Sequence, residues 1–322
     1  MKLDKAKIKL YSSVGSRATF GLVCLELAKE IKNLMILTSD VSTSAGLDRF
    51  KQKFPEKFVD VGIAEQNLIG VATGLATSGY NVFTTTFAPF QTMRCFEQIR
   101  VNMGYMKKKI TMVGLASGIV LGNLGFTHCC IEDLSIMRSI PGMTVLSPAD
   151  CAEVAKSVYA AANLPGPVYI RLTGGSNNPA VYSDNYNFKI GKPIELTKGK
   201  DVVIFSTGSM VYNSIEASKI LKKNKIKASV INVHTIKPLD KKSINKYSIN
   251  KKLIITVEEH SIIGGLSSAI AEANSSTRKL APQFSISLPD NYFNGGDYKD
   301  LISKHNLSPK KIAKNIIKKL KK

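Results

Sequence analysis

Apolar residues along this chain gather in short unbroken runs rather than in strict alternation. MILTS (35–39), KFVDV (57–61), NVFTTT (81–86), KITMVGL (109–115), MTVLS (143–147) and PVYIRL (167–172) are rich in β-branched residues. Runs of this length and make-up predict buried strands. Between them, near 17–31, 65–78, 90–103, 132–138 and 150–163, apolar positions recur with helical spacing. That alternation predicts a mostly parallel sheet covered by helices on both faces. The rhythm stops after Leu172, where TGGSNNPAVYSDNYNFKIGKP (173–193) concentrates Gly, Asn, Ser and Pro and reads as a linker. It resumes with DVVIFS (201–206), KASVINV (227–233), LIITVEE (253–259) and SISLP (285–289). The expected class is α/β with two domains, residues 1–185 and 186–322, each a mostly parallel sheet flanked by helices, the second smaller.

Composition supports this and removes some functions. With 44% hydrophobic and 21% charged residues in 322, the chain can bury two cores. No apolar run is long enough to span a bilayer, and MKLDKAKIKLYSS lacks the apolar stretch of a signal peptide, so a soluble cytoplasmic protein is expected. The five cysteines (Cys24, Cys95, Cys129, Cys130, Cys151) are odd in number and form no CxxC pair. That points to reduced thiols rather than to a disulfide framework or a metal site. The net charge of +21 is uneven: 19 basic and 14 acidic residues up to 185, then 26 and 10. The excess is lysine, in KILKKNKIK and KKIAKNIIKKLKK, without interleaved aromatics to stack on bases. The last run places Ile312, Ile316, Ile317 and Leu320 on one helical face, so its lysines read as a solvated face rather than a nucleic-acid groove.

One stretch resists a purely structural reading. DVGIAEQNLIG (60–70) sets Glu65 and Gln66 between a strand and an apolar helix. The helix, EQNLIGVATGLATS, is crowded with small residues such as Gly70, Ala72 and Gly74. Glycine costs about 1 kcal/mol against alanine inside a helix. Close packing should offset this cost, within the sheet's cover or at a subunit contact. Glu65 lies in the first turn, where any acid is favoured by the helix dipole.

The motifs in order carry a resemblance. KFVDVGIAEQNLIGVATGLATSGYNVFTTTFAPF resembles the pyrimidine-binding domain of transketolases and of deoxyxylulose-phosphate synthase, with SRATFG and SDVSTSAGL before it and GFTHCCIEDLSIMRSIPGMTVLSPAD and GPVYIRL after it. DVVIFSTGSMVYNS, VINVHTIKPLD and VEEHSIIGGLSSAIAE resemble the C-terminal domain of the same family. The resemblance runs from about residue 9 to the end of the chain.

What it implies is specific. Glu65 would meet the aminopyrimidine of thiamine diphosphate, where a carboxyl group facing a ring nitrogen favours the tautomer that activates the thiazolium carbon. Phe87 and Phe90 of TFAPF would stack on that ring, although each could equally be a core aromatic. His128 of GFTH would face substrate. Arg17, Ser44 and Arg171 would hold a substrate phosphate, a task suited to arginine's planar fork. Their plainer readings are a helix-start ion pair, a turn hydroxyl and a strand-end charge.

Two departures stand out. Leu124 takes the place of an acid before the Gly-x-Thr-His run, and GLASGIVLGNLG lacks a histidine that the family carries upstream. Both missing groups bind sugar hydroxyls, so the donor or acceptor is expected to differ from the usual pentose phosphates. The chain also lacks the GDG motif that holds magnesium and diphosphate; its GGD at 295–297 is in the other domain.

The expectation is therefore a C-terminal subunit of a split transketolase, moving a two-carbon ketol unit. An N-terminal subunit would carry the diphosphate site and Mg2+, in an α2β2 heterotetramer. Alternatives are a 2-oxo acid dehydrogenase β subunit, a deoxyxylulose-phosphate-synthase-like carboligase and a scaffold subunit.

Overall fold

Two sheets carry the chain in a computed structural model that describes residues 1–174, 179–277 and 280–321. The strands are β1 (Leu34–Thr38), β2 (Phe58–Asp60), β3 (Asn81–Phe87), β4 (Ile110–Leu115), β5 (Thr144–Leu146), β6 (Val168–Arg171), β7 (Ile194–Thr197), β8 (Val202–Ser206), β9 (Ala228–Asn232), β10 (Thr235–Lys237), β11 (Leu253–Ser261) and β12 (Gln283–Leu288). The helices are α1 (Lys5–Glu30), α2 (Asp48–Lys53), α3 (Glu65–Thr77), α4 (Ala88–Thr92), α5 (Phe96–Ile99), α6 (Asp133–Ser139), α7 (Cys151–Asn163), α8 (Met210–Lys223), α9 (Lys241–Ser248), α10 (Leu266–Asn274), α11 (Tyr298–Lys304) and α12 (Pro309–Leu320).

The first sheet runs β10-β5-β6-β4-β3-β1-β2 and the second β12-β11-β8-β9-β7. All ladders are parallel except those of β10 with β5 and β7 with β9. Every apolar run read as a strand is one: most are buried on both faces, which needs continuous apolar sequence, while β2 and β12 at the sheet edges are only partly buried. The sequence reading missed β7 and β10. Both are short, and β10 leaves the second half of the chain to extend the first sheet. One apolar cluster accordingly runs from Met112, Met137 and Tyr169 into Val203, Phe205 and Ile231 of the second sheet.

The helix expected near 17–31 starts earlier, at Lys5, where Asp4 caps it by accepting from the Lys7 amide at 2.7 Å. It bends at Gly15, whose φ of 84° leaves the helical region. The helix expected over 90–103 breaks into α4, α5 and a π-helical turn, Arg100–Tyr105. Within it, Thr92 donates to the Ala88 carbonyl at 2.6 Å and the Cys95 thiol to the Phe90 carbonyl at 3.2 Å, drawing acceptors away from the helical ladder.

In α3, Leu68, Ile69 and Ala72 face the core, but a methyl group at Gly70 or Gly74 would meet nothing within 4 Å. The small residues on that outer face are therefore not needed for packing within the chain. The terminal helix α12 buries Ile312 and Ile316 and turns its lysines outward, as its pattern predicts. The linker read at 173–193 includes 175–178, which lie outside the described residues. Among the described residues no helix is long and apolar enough to cross a membrane.

Candidate active site

The segments that carry Ser44, Glu65, Phe90 and His128 follow β1, β2, β3 and β4 in turn, at the carboxyl ends of parallel strands, where open α/β sheets bind ligands. The turn into α3 is braced from two neighbouring segments. Asp60 Oδ1 accepts from the amides of Asp40 and Gly62 (2.9 and 3.0 Å), and the Ser39 hydroxyl accepts from the Ala64 amide at 3.0 Å. Gly62 supplies the positive φ, 69°, that the turn needs. Glu65 begins the helix and is 5% exposed. Its Oε1 accepts from Arg94 Nη1 at 2.9 Å, and Oε2 accepts no hydrogen bond among the described residues.

At the end of β3, Pro89 sits in the first turn of α4 and Phe87 caps it. Gln91 is buried and stitches this corner, accepting from the Thr86 amide (3.2 Å) and donating to the Thr84 hydroxyl (2.6 Å). Phe87 and Phe90 are thereby half-buried with ring centroids 6.3 Å apart at nearly right angles. His128 meets both, at 6.1 Å from Phe87 and 5.4 Å from Phe90. Its Nδ1 pairs with the Thr127 hydroxyl at 3.0 Å, which leaves Nε2 available. The structure thus brings Glu65, Phe87, Phe90 and His128 to one edge of the sheet.

It adds Arg94, which the sequence reading overlooked. Its guanidinium lies 4.3 Å from the Phe90 ring centroid while it bonds Glu65. A charged fork over an aromatic face is favourable by about 0.5–1 kcal/mol at an exposed site. The signal was present in the sequence: Arg94 follows Phe90 by one helical turn. Cys129 and Cys130, next to His128, are buried; burial pushes the Cys129 thiol up to about 11, which suits packing rather than nucleophilic attack.

Arg17 follows the Gly15 bend and lines a cavity of about 310 Å³ with Ala116, Leu121, Asn123 and Gly174. Its guanidinium makes no ion pair or hydrogen bond among the described residues. The loop bearing Ser44 lies against it, because Gly46 packs on the backbone of Arg17 and Ala18. A methyl group at Gly21 would overlap the Gly46 carbonyl oxygen, so SRATFG and SAGL each need their glycine for this approach.

Arg171, expected to hold phosphate, does not join this arrangement and lies in the core instead. It is 1% exposed. Its Nε donates to both Asp133 oxygens at 2.9 Å, and Nη2 donates to the Glu259 carbonyl at 2.8 Å. Asp133 also accepts from the Tyr169 hydroxyl at 2.7 Å and is fully buried. A strand-end arginine met by a buried acid is spent inside the core, joining the two domains, and cannot reach a solvent-borne phosphate.

Comparison with known proteins places these features. Residues 12–178 match the transketolase pyrimidine-binding domain and residues 191–312 the transketolase C-terminal domain. The chain belongs to the transketolase family. It is 37% identical over 310 residues to a putative transketolase C-terminal section of Methanocaldococcus jannaschii, covering 96% of this chain and 97% of that one. It is 34% identical over 310 residues to a subunit of the apulose-4-phosphate transketolase of Phocaeicola vulgatus, covering 96% and 98%. A solved structure described as a split-gene transketolase, inactive β4 tetramer, superposes with a TM-score of 0.85 at 35% identity, covering 96% and 99%.

For a transketolase-family chain, fit to the family's thiamine cofactor can be judged from these side chains. A buried carboxylate with one oxygen free offers an acceptor to a ring N–H, and half-buried aromatic rings beside it offer faces and edges to a flat heterocycle. Among the described residues no group of three or more His, Cys, Asp or Glu side chains is placed to hold a metal.

Proposed function

We propose that this chain is the C-terminal subunit of a two-chain, thiamine-diphosphate-dependent transketolase-like enzyme. It moves a two-carbon ketol unit from a ketose phosphate to an aldehyde. The observation that carries the reading is that Arg94 links buried Glu65 to Phe90, whose ring meets Phe87 and His128 at the same sheet edge. The bound cofactor supplies the carbanion chemistry that cleaves the bond next to a ketone. Glu65 turns Oε2, the oxygen that Arg94 leaves unbonded, toward the pyrimidine to exchange a proton with its ring nitrogen. Phe87 and Phe90 wall the ring, and His128 presents Nε2 to substrate oxygens. Residues 1–185 form the pyrimidine-binding domain and 186–322 the second domain.

The diphosphate and Mg2+ belong to an N-terminal partner subunit in an α2β2 assembly. The open small-residue face of α3 suits close approach by another chain. Co-expression with a partner carrying a GDG motif tests this directly. Retained thiamine diphosphate and ketol transfer by the complex, with neither from the chain alone, are the expected results; a complex without cofactor overturns the reading.

Leu124 is 53% exposed on the loop bearing His128, where the family's sugar-binding acid is absent. The preferred sugar is therefore one with fewer hydroxyl contacts in that place. The complex should be slow with xylulose 5-phosphate and ribose 5-phosphate, and a rate typical of transketolases with that pair sinks the specificity argument.

Arg17 and Ser44 hold the substrate phosphate without Arg171. Arg17→Ala should raise KM for a phosphorylated donor about 10- to 100-fold, the worth of one charge-assisted hydrogen bond at roughly 1.5–3 kcal/mol. Thermal stability should not change, because the guanidinium makes no bond within the described chain. Unchanged KM in a folded variant removes Arg17 from the site.

A further inference from the structure

The loop that presents His128 is closed at its base and braced from outside by the other domain. At the base, Gly118 and Cys130 exchange amide–carbonyl bonds of 2.7 and 2.9 Å. On the outer side the Ile119 amide donates at 2.8 Å to Glu259 of β11, which Ser209 and Tyr298 hold in turn at 2.7 and 2.8 Å. Farther along, the Gly296 amide donates to the Gly122 carbonyl at 2.9 Å. A methyl group at Gly295 would overlap that same carbonyl. The Phe126 ring, two residues before His128, is held edge-on by Tyr292 and Phe293, with centroids 4.9 and 4.8 Å away. Tyr292 also donates to Glu132 at 3.3 Å, beyond the loop's far end.

From this we infer that the segment 292–296 of the second domain is a clamp that sets the position of His128, with Tyr292, Gly295 and Gly296 as positioning residues. The NGGD string in the second domain serves this purpose: Gly295 lets its backbone lie directly on the loop, and Gly122 does the same from the loop's side, since a methyl group there would meet the Gly296 carbonyl oxygen. The second domain therefore contributes to the site through the loop and not only through assembly. The consequence for substrate rests on the function proposed above; the positioning itself does not.

The free chain provides the deciding test. It has four histidines, so the imidazole Cε1–H signals in a proton–carbon correlation spectrum can be assigned with His128→Asn. Phe87 and Phe90 face His128, so ring currents displace its signal. In Tyr292→Ala and Gly295→Val that signal should move toward the position of an exposed histidine, while the signal of His234, buried elsewhere, stays in place. Tyr292 is 72% exposed, so its removal opens no core, and this variant decides alone if Gly295→Val does not fold. A fixed His128 signal in the folded variants overturns the proposal.

In the assembled enzyme Tyr292→Ala should raise KM for the ketose phosphate about tenfold and leave the Kd for thiamine diphosphate unchanged, since Glu65 and Phe90 are on other segments. Equal loss of both would indicate general damage and count against the clamp. A wild-type complex that binds no thiamine diphosphate would sink the proposed function alone, and the histidine spectrum would still decide the clamp.

Discussion

Replacing Glu65 by glutamine should slow ketol transfer by the assembled enzyme about a thousandfold, within the roughly 10²–10⁴ that a positioned acid–base group supplies. Glutamine preserves the shape of the side chain and an acceptor oxygen, so it can still meet Arg94 and occupy the same buried place. What it cannot do is hold or release a proton. The loss should therefore appear in single-turnover rates, with association of the subunits intact and thiamine diphosphate still bound. A variant that turns over within tenfold of the parent would mean that Glu65 is only a first-turn acid, as its helix position alone would allow. Arg94 sharpens the argument. With Oε1 engaged, the carboxyl has one oxygen left for a ligand, and the variant tests that oxygen specifically.

Arg171→Met should instead lower folding stability, by about 3–5 kcal/mol, and leave phosphate recognition alone. Removing one partner of a buried pair strands the other charge, a loss of this size. Here the stranded group would be Asp133, fully buried, keeping among the described residues only the Tyr169 hydroxyl close to it as donor, with His260 Nε2 4.0 Å away. Urea midpoints of the free chain measure the effect. The double change Arg171→Met with Asp133→Leu should recover much of the loss, because two apolar side chains leave no unpaired charge. A stable Arg171→Met chain whose complex shows a raised KM would return Arg171 to the phosphate site. Arg17 and Arg171 thus make opposite predictions although both stand in family motifs: one moves KM and the other moves stability.

Much of the fold was legible because most strands are buried on both faces and leave continuous apolar runs with no competing periodicity. The exceptions were the weakly patterned pieces. IELT of β7 is half-buried at a sheet edge, and TIK of β10 becomes a strand only because β5 lies beside it. The start of α1 was missed because a lysine-rich, partly exposed helix has little apolar stripe to read.

The candidate site divides along a similar line. Residue types and their order settled the α/β class, the two-part organisation and the motifs that bring Glu65, Phe87, Phe90 and His128 into consideration. These are local signals: a carboxylate at a helix start, aromatics at a strand–helix corner and a histidine in a glycine-rich loop. Tertiary structure decided which arginine is free and which is consumed. Arg171 is taken by Asp133, 38 positions away, and Arg94 reaches Glu65 across 29. It also decided that Gly21 and Gly46 are a matched pair and that the second domain grips the loop of His128. Apart from the one-turn spacing of Phe90 and Arg94, none of these has a local signature. Whether a charged or small side chain is free, paired or pressed against a backbone depends on what the fold brings to it from distant segments, and at the carboxyl edge of this sheet several such segments meet.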